Sequence, residues 1–123
     1  MKLRIQDDSL RLRLTRPEVE RLASEGRVES VTHIALGQAL RYVLRTAAAE
    51  GIRASFEATT LTVSLPSGWV EGWPEDERVG FEGTQDVGDG RTLALLVEKD
   101  FQCLHRDAEE PDAFPNPLAA DAK

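Results

Sequence analysis

Alternating apolar and basic residues mark the first fourteen positions as a β-hairpin. In Lys2-Leu3-Arg4-Ile5-Gln6 and in Ser9-Leu10-Arg11-Leu12-Arg13-Leu14, every second residue is apolar, the period of a half-buried strand. A two-residue turn at Asp7-Asp8 pairs Gln6 with Ser9 and fixes the register of the hairpin. The leucines and Ile5 then share one face, and the other face carries four cations: Lys2, Arg4, Arg11 and Arg13.

A helix is predicted directly after this hairpin. Thr15 is a suitable N-cap, Pro17 is tolerated in the first turn, and Glu18 stands where it completes a capping box. Val19, Leu22 and Ala23 form one apolar stripe, and Gly26 supplies the C-terminal stop. The stripe predicts a short helix lying on a sheet.

The middle of the chain reads as further strands. β-Branched residues favour a strand over residues 27–34. Residues 39–45 alternate as a strand does, although the same stretch also has helical spacing, so a helix is the alternative. Residues 52–57 and 60–65 predict a hairpin with Ala58-Thr59 at its turn and Phe56 on the core side. A helical turn is expected from Pro66 or Ser67 to Trp73, with Trp69 and Trp73 on one face as a plug over the sheet.

A last hairpin, residues 79–85 with 92–98, is joined through Asp86-Val87-Gly88-Asp89-Gly90, whose Asp-Gly and paired glycines are strong turn residues. From Arg106 onward the sequence has acids, alanines and three prolines without periodicity. The predicted organisation is one α+β domain over residues 1–105 and a flexible acidic tail over 106–123. The domain is an antiparallel sheet or small barrel of six to eight short strands in successive hairpins, with one helix after strand two and a helical turn after strand six.

The charge of the chain is strongly segregated. The net charge is −7, but residues 1–53 carry ten Lys or Arg against seven Asp or Glu, and residues 54–123 carry five against fifteen. The acidic total argues against a nucleic-acid or anionic-membrane partner, since both require a basic footprint. A single cysteine, Cys103, fits a reducing compartment, and no apolar leader precedes the first strand. We therefore expect a cytoplasmic protein.

The four cations are the strongest candidate site. Like charges directly opposite on a sheet are destabilising, so they call for a compensating anion. That anion is either the chain's own carboxylates, such as Glu57, Glu82 and Glu98, or a ligand. In the second case the anion-binding residues are Lys2, Arg4, Arg11 and Arg13, joined by Arg41 or Arg45 if residues 39–45 form a strand.

Other candidate chemistry is sparse. Cys103 and His105 could offer two ligands to a soft metal, and Cys103 with His33 and Asp100 could form a nucleophilic set, but a closed metal site needs more ligands. We predict no metal site and no cofactor, and we assign no catalytic residue.

Two families resemble this chain. The mixture of cations and carboxylates on one sheet face is similar to that in triphosphate-tunnel hydrolases, whose eight-stranded barrels are lined by both. That family opens with Glu-x-Glu-x-Lys, whereas this chain has Lys2-Leu3-Arg4-Ile5-Gln6.

A closer resemblance rests on the opening hairpin, Glu18-Val19-Glu20, Val87-Gly88-Asp89-Gly90-Arg91-Thr92-Leu93 and the segment from Val97 to His105. These motifs, spread over residues 1–105, look like a family of small bacterial proteins of unknown function. The resemblance implies a bacterial cytosolic protein with a strand at residues 40–45 and carries over no activity.

Two functions are open at this point. The first is a non-enzymatic binding or interaction module whose basic face meets an acidic protein partner or its own tail. The second is a phosphate-ester, nucleotide or polyphosphate-binding protein with a small phosphate-bearing ligand, and a metal-dependent triphosphate hydrolase is one form of it.

Overall fold

The computed structural model describes residues 1–101. This part of the chain contains one helix, one 3₁₀ turn and eight strands. In chain order they are β1 (Lys2–Gln6), β2 (Ser9–Leu14), α1 (Arg16–Glu25), β3 (Arg27–Ala35), β4 (Gln38–Ala47), β5 (Arg53–Glu57), β6 (Thr60–Pro66), the 3₁₀ turn (Ser67–Val70), β7 (Gly80–Gly88) and β8 (Arg91–Lys99). The predicted order of hairpins, with a helix after strand two and a helical turn after strand six, is confirmed.

The strands form two four-stranded sheets rather than a closed barrel. The first sheet has the order β1-β2-β8-β7 and the second β3-β4-β6-β5. Each sheet consists of two antiparallel hairpins, and the second strands of those hairpins join in parallel: β2 with β8 and β4 with β6. The barrel alternative does not apply, and the two parallel joints were not predicted.

One hydrophobic core lies between the two sheets. Leu12, Leu14 and Val97 of the first sheet and Leu44 and Val63 of the second are buried in the same cluster. Alternation along each strand sends these side chains inward and the charged side chains outward. The sandwich therefore has two outer faces, and they point away from each other.

The first hairpin has the predicted register. Gln6 pairs with Ser9 and Lys2 with Arg13, and Asp7 at the turn has a φ of 50°.

Helix α1 follows with the predicted cap. The Glu18 carboxylate accepts hydrogen bonds from the Thr15 backbone N–H at 2.9 Å and from the Thr15 hydroxyl at 3.1 Å. Its buried residues, Val19 and Leu22, join the core, as the stripe predicted.

Residues 39–45 lie within strand β4, so the strand prediction is confirmed and the helical alternative is not. β4 is hydrogen-bonded on one side to β3 and on the other to β6. Two neighbouring strands satisfy the backbone groups that a helix would satisfy internally, and this tertiary pairing outweighs the helical propensity of the alanines.

The two ends of the sandwich differ. At one end Trp73 is fully buried, its ring 4.8 Å from that of Phe81, and Trp69 stacks on Phe81 at 5.5 Å. The tryptophans thus act as the predicted plug, although the 3₁₀ turn ends at Val70 and Trp73 lies in the turns that follow. At the other end Phe56 is 64% exposed and Ile5 60% exposed, although the alternation places both on the core side of their strands.

The edge strands β5 and β7 of the two sheets are connected by one side chain. Gln85 Oε1 accepts from Ala54 N at 2.7 Å, and Gln85 Nε2 donates to Ala54 O at 2.9 Å. The amide of Gln85 therefore replaces a backbone partner for Ala54 at the edge of β5. Gly83 faces Ile52, and two residues later on both segments Gln85 contacts Ala54. Because the contacts advance together, β5 and β7 run parallel. The four hairpin turns therefore lie at one end of the sandwich.

Candidate functional site

The outer face of the first sheet carries the four predicted cations. We call the surface formed by Lys2, Arg4, Arg11 and Arg13 the basic face. Lys2 lies directly opposite Arg13, and Arg4 directly opposite Arg11. The inward side chains Leu3, Leu10 and Leu12 pack into or against the core, and this fixes the cations on the outside.

One end of the basic face is neutralised by residues of β8 and the position just after it. The parallel joint places Glu98 opposite Arg13, and Arg13 Nε lies 3.0 Å from Glu98 Oε1. Lys2 Nζ lies 3.0 Å from Asp100 Oδ2. Of the acids considered as internal partners, Glu98 makes this contact, whereas Glu57 and Glu82 form no salt bridge with residues 1–101.

The pairing of Lys2 with Asp100 should be visible in a titration. The hydrogen bond from Lys2, aided by the positive charges of Lys2 and Arg13, holds the pKa of Asp100 below its ordinary value of 3.8. A depressed carboxyl pKa stabilises the fold above the unfolded-state pKa, and that contribution is lost as the pH falls through the folded-state pKa. We expect Lys2→Gln to raise the pKa of Asp100 toward 3.8, measured by NMR titration of its side-chain carboxyl carbon.

Arg4→Gln is the matched control for this titration. Arg4 also lies on β1, but its side chain contacts Gln6 rather than Asp100. The assignment of Lys2 as the partner of Asp100 is wrong if Lys2→Gln leaves the Asp100 midpoint where it is in the unmodified protein.

The other end of the basic face has little internal neutralisation. Arg4 donates from a terminal nitrogen to Gln6 Oε1 at 3.2 Å and forms no salt bridge with any carboxylate in residues 1–101. Arg11 Nε lies 3.6 Å from Glu98 Oε1, the same oxygen that Arg13 approaches more closely. Within residues 1–101, Arg4 and Arg11 therefore lie opposite each other with a single carboxylate nearby, and that carboxylate is closer to Arg13 than to Arg11.

Shallow depressions flank this arginine pair. One, of about 150 Å³, is lined by Arg4, Gln6, Ser9 and Arg11. A larger one, of about 650 Å³, extends from Arg11 over β8 and β7, and its lining includes Ala94, Leu96 and Glu82. The surface beside the arginines is thus partly apolar, because Ala94 and Leu96 face outward between Arg11 and the edge strand.

Arg41 does not join the basic face. It lies on β4 in the second sheet, opposite Val31, and its guanidinium forms a salt bridge with Glu29. Because β4 pairs with β3 and β6, strand formation in residues 39–45 places Arg41, and Arg45 with it, on the opposite outer face of the sandwich. The five predicted anion-binding residues are therefore divided between two surfaces.

The remaining candidate residues do not assemble into a site. Cys103 and His105 lie outside the described residues, as does the predicted tail over 106–123. His33 is exposed on β3, and Asp100 is engaged by Lys2. Within residues 1–101, no three His, Cys, Asp or Glu side chains are grouped so that they could hold a metal ion.

A further cleft meets the basic face only at Asp100. It has a volume of about 980 Å³ and lies between the start of α1 and residues 74–76, with Phe101 in its wall. In its wall, Lys99 Nζ donates to Asp76 O at 2.7 Å, and Arg78, which lies outside the lining, donates from Nε to Asp76 Oδ2 at 2.7 Å. These contacts brace the loop that follows Trp73.

Sequence reasoning missed several residues of the basic face. Asp100, Ala94 and Leu96 belong to it only because β8 pairs in parallel with β2. No local pattern signals a joint between strands so distant in the chain. Gln6 and Ser9 could have been identified, since the predicted turn already placed them beside Arg4 and Arg11.

Comparison with known proteins identifies a family whose function is unknown. No curated protein and no solved structure matches the chain, and no helix in residues 1–101 is long and apolar enough to cross a membrane. A family model matches residues 1–118, which includes every strand and the helix described above. The chain belongs to the family of unknown function DUF7009.

Proposed function

We infer that the protein is a non-enzymatic binding module of the bacterial cytoplasm whose basic face takes an acidic segment of a partner protein. The observation that carries the proposal is the pair Arg4 and Arg11, which face each other across the hairpin and, within residues 1–101, have one carboxylate nearby, 3.6 Å from Arg11. Two adjacent guanidinium groups suit bidentate hydrogen bonding to a carboxylate. An acidic side chain placed between them would also relieve their mutual repulsion.

The surface beside the arginines favours a polypeptide over a bare anion. Ala94 and Leu96 line the depression next to Arg11, and an apolar side chain of the partner would cover them. Interfaces combine such apolar patches with a charged rim that sets the orientation of the partner. An extended acidic peptide supplies both, since a carboxylate and an apolar side chain alternate naturally along a strand.

The chain's own acidic segment, residues 106–123, is one source of such a peptide. The cytoplasmic location rests on the single cysteine, which suits a reducing compartment.

We do not propose metal-dependent hydrolysis. Within residues 1–101, no three His, Cys, Asp or Glu side chains are grouped so that they could hold the metal ion.

Binding of a fluorescein-labelled hexaglutamate peptide to the full chain tests this proposal. We expect saturable binding, measured by fluorescence anisotropy at low ionic strength, where surface electrostatics are least screened. Arg4→Gln combined with Arg11→Gln should weaken binding about tenfold, the loss of about 1.4 kcal/mol expected for exposed charge-assisted contacts.

The matched control combines Arg16→Gln with Arg21→Gln. These two exposed arginines lie on α1, so the control changes the net charge equally without touching the basic face. Equal weakening by the two double variants would show that only net charge matters and would contradict the proposal. A chain ending at residue 105 should bind the peptide more tightly if residues 106–123 compete for the same surface.

A further inference from the structure

The outer face of the second sheet carries a row of three arginines that the proposed function does not use. Arg27 on β3 lies opposite Arg45 on β4. Arg45 lies opposite Ser64 on β6, and Ser64 lies opposite Arg53 on β5. One row across four strands therefore reads Arg27, Arg45, Ser64, Arg53, spanning about 14 Å at the usual strand spacing.

Two of these arginines lack a carboxylate partner in the described part of the chain. Arg27 forms a salt bridge with Glu29, and the same carboxylate forms a second salt bridge with Arg41. Arg45 and Arg53 form no salt bridge with residues 1–101, and both side chains are exposed. In a chain whose net charge is −7, pairing within residues 1–101 does not explain two such cations in one row.

Ser64 lies between them in a position to take part in binding. Its hydroxyl oxygen accepts a hydrogen bond from Arg45 Nε at 3.2 Å. The hydroxyl proton of Ser64 is then available to donate, and the terminal nitrogens of Arg45 form no side-chain hydrogen bond with residues 1–101. In the next row Thr62 lies opposite Ser55, which adds further hydroxyl groups beside the arginines.

We propose that Arg45, Ser64 and Arg53 form a binding site for one phosphate group of a small phosphate-bearing molecule. A phosphate group has several oxygens that accept hydrogen bonds at once, and this suits a hydroxyl whose neighbours in the row, on either side, are arginines. Arg27, next to Arg45 in the row, is placed to meet a second phosphate of a diphosphate or triphosphate.

The composition of this face favours a small ligand over a macromolecule. The neighbouring outward positions are Glu29, Val43, Thr62 and Ser55, with Val43 buried. Among the described residues, this neighbouring row has no aromatic ring on which a nucleic-acid base could stack and no exposed apolar anchor for a protein partner. The site is separate from the basic face, so it stands or falls independently of the proposed function.

A titration of the full chain with tripolyphosphate, followed by NMR at constant ionic strength, tests the proposal. We expect saturable shifts of the Arg45 and Arg53 side-chain N–H signals and of the Ser64 amide, with a rise in the melting temperature as ligand is added. Arg45→Gln combined with Arg53→Gln should weaken binding about tenfold or more. Ser64→Ala should weaken it by a smaller factor, because one neutral donor is lost.

Arg16→Gln combined with Arg21→Gln is the control, since these exposed arginines of α1 carry the same charge but lie outside both proposed sites, and their removal should leave the affinity unchanged. The proposal is overturned if the shifts fail to saturate up to about 10 mM ligand, a range that covers even weak specific binding. It is also overturned if both double variants lose affinity equally, because the ligand would then be responding to net charge alone. Inorganic phosphate in place of tripolyphosphate should bind at the same residues but less tightly, since only one phosphate group is present.

Discussion

Replacing Trp73 with alanine is expected to lower the free energy of unfolding by about 3–5 kcal/mol, the usual cost of deleting a large buried aromatic side chain. Trp73 is fully buried and contacts Phe81. Its indole N–H donates to Arg78 O at 2.9 Å. The substitution therefore leaves a cavity at the end of the core and removes the bond that holds the following loop.

Urea denaturation followed by far-UV circular dichroism measures this loss without relying on tryptophan fluorescence. Trp69→Ala is the control: Trp69 stacks on the same Phe81 ring but is only half-buried, so its removal should cost clearly less. If Trp73→Ala costs no more than Trp69→Ala, the indole of Trp73 does not close the core as its burial indicates.

Gly80→Ala is expected to destabilise the protein by about 3 kcal/mol or more, beyond the usual cost of overpacking, because the added methyl group meets backbone. A Cβ atom built on Gly80 would lie 2.0 Å from Val97 O and 2.7 Å from Glu98 Cα. Neither atom belongs to a flexible side chain, so β7 and β8 would have to separate. Thermal unfolding of this variant should begin at a clearly lower temperature.

The same substitution should also disturb the basic face. The built Cβ lies 2.8 Å from Glu98 Cβ, and Glu98 is the carboxylate next to Arg13. Gly68→Ala is the matched control, since a Cβ at Gly68 has nothing within 4 Å and should be tolerated. A Gly80→Ala protein as stable as the Gly68→Ala protein would mean that β7 and β8 are not packed as closely as described.

Local patterns were sufficient to predict the hairpins. The register of β1 with β2 followed from a period of two and a two-residue turn, and the start of α1 followed from Thr15 and Glu18. Ala58-Thr59 was also correctly placed at a turn, where both residues have positive φ. In each case the residues that interact lie within a few positions of one another, so the sequence carries the information directly.

The joints between hairpins could not be predicted in this way. Leu12 pairs with Val97 although some eighty residues lie between them, and nothing in either strand specifies a parallel neighbour. That joint determines which acids reach the basic face, and it explains why Glu98 and Asp100 do so while Glu57 does not. The separation of Arg41 from Lys2 has the same origin, because it depends on which hairpins share a sheet.

The exposed fraction of each side chain also could not be predicted from the periodicity of the sequence. Phe56 pairs with Leu61 as predicted, yet it is mostly exposed. Alternation indicates which face a side chain occupies, whereas burial depends on whether another element covers that part of the face. No such element covers Phe56 among residues 1–101.

The order in which the strands join has a consequence for synthesis on the ribosome. The second sheet uses the continuous segment from Arg27 to Pro66, whereas the first sheet combines the two ends of the described chain. The second sheet can therefore form as soon as β6 has emerged, but β2 waits for β8 before its open edge is paired. Pairings between distant segments form slowly, and an unpaired strand edge can associate with other chains in the meantime. The positive charges along the first hairpin would then repel a second nascent hairpin of the same kind, and so protect the chain from aggregation until the last strand arrives.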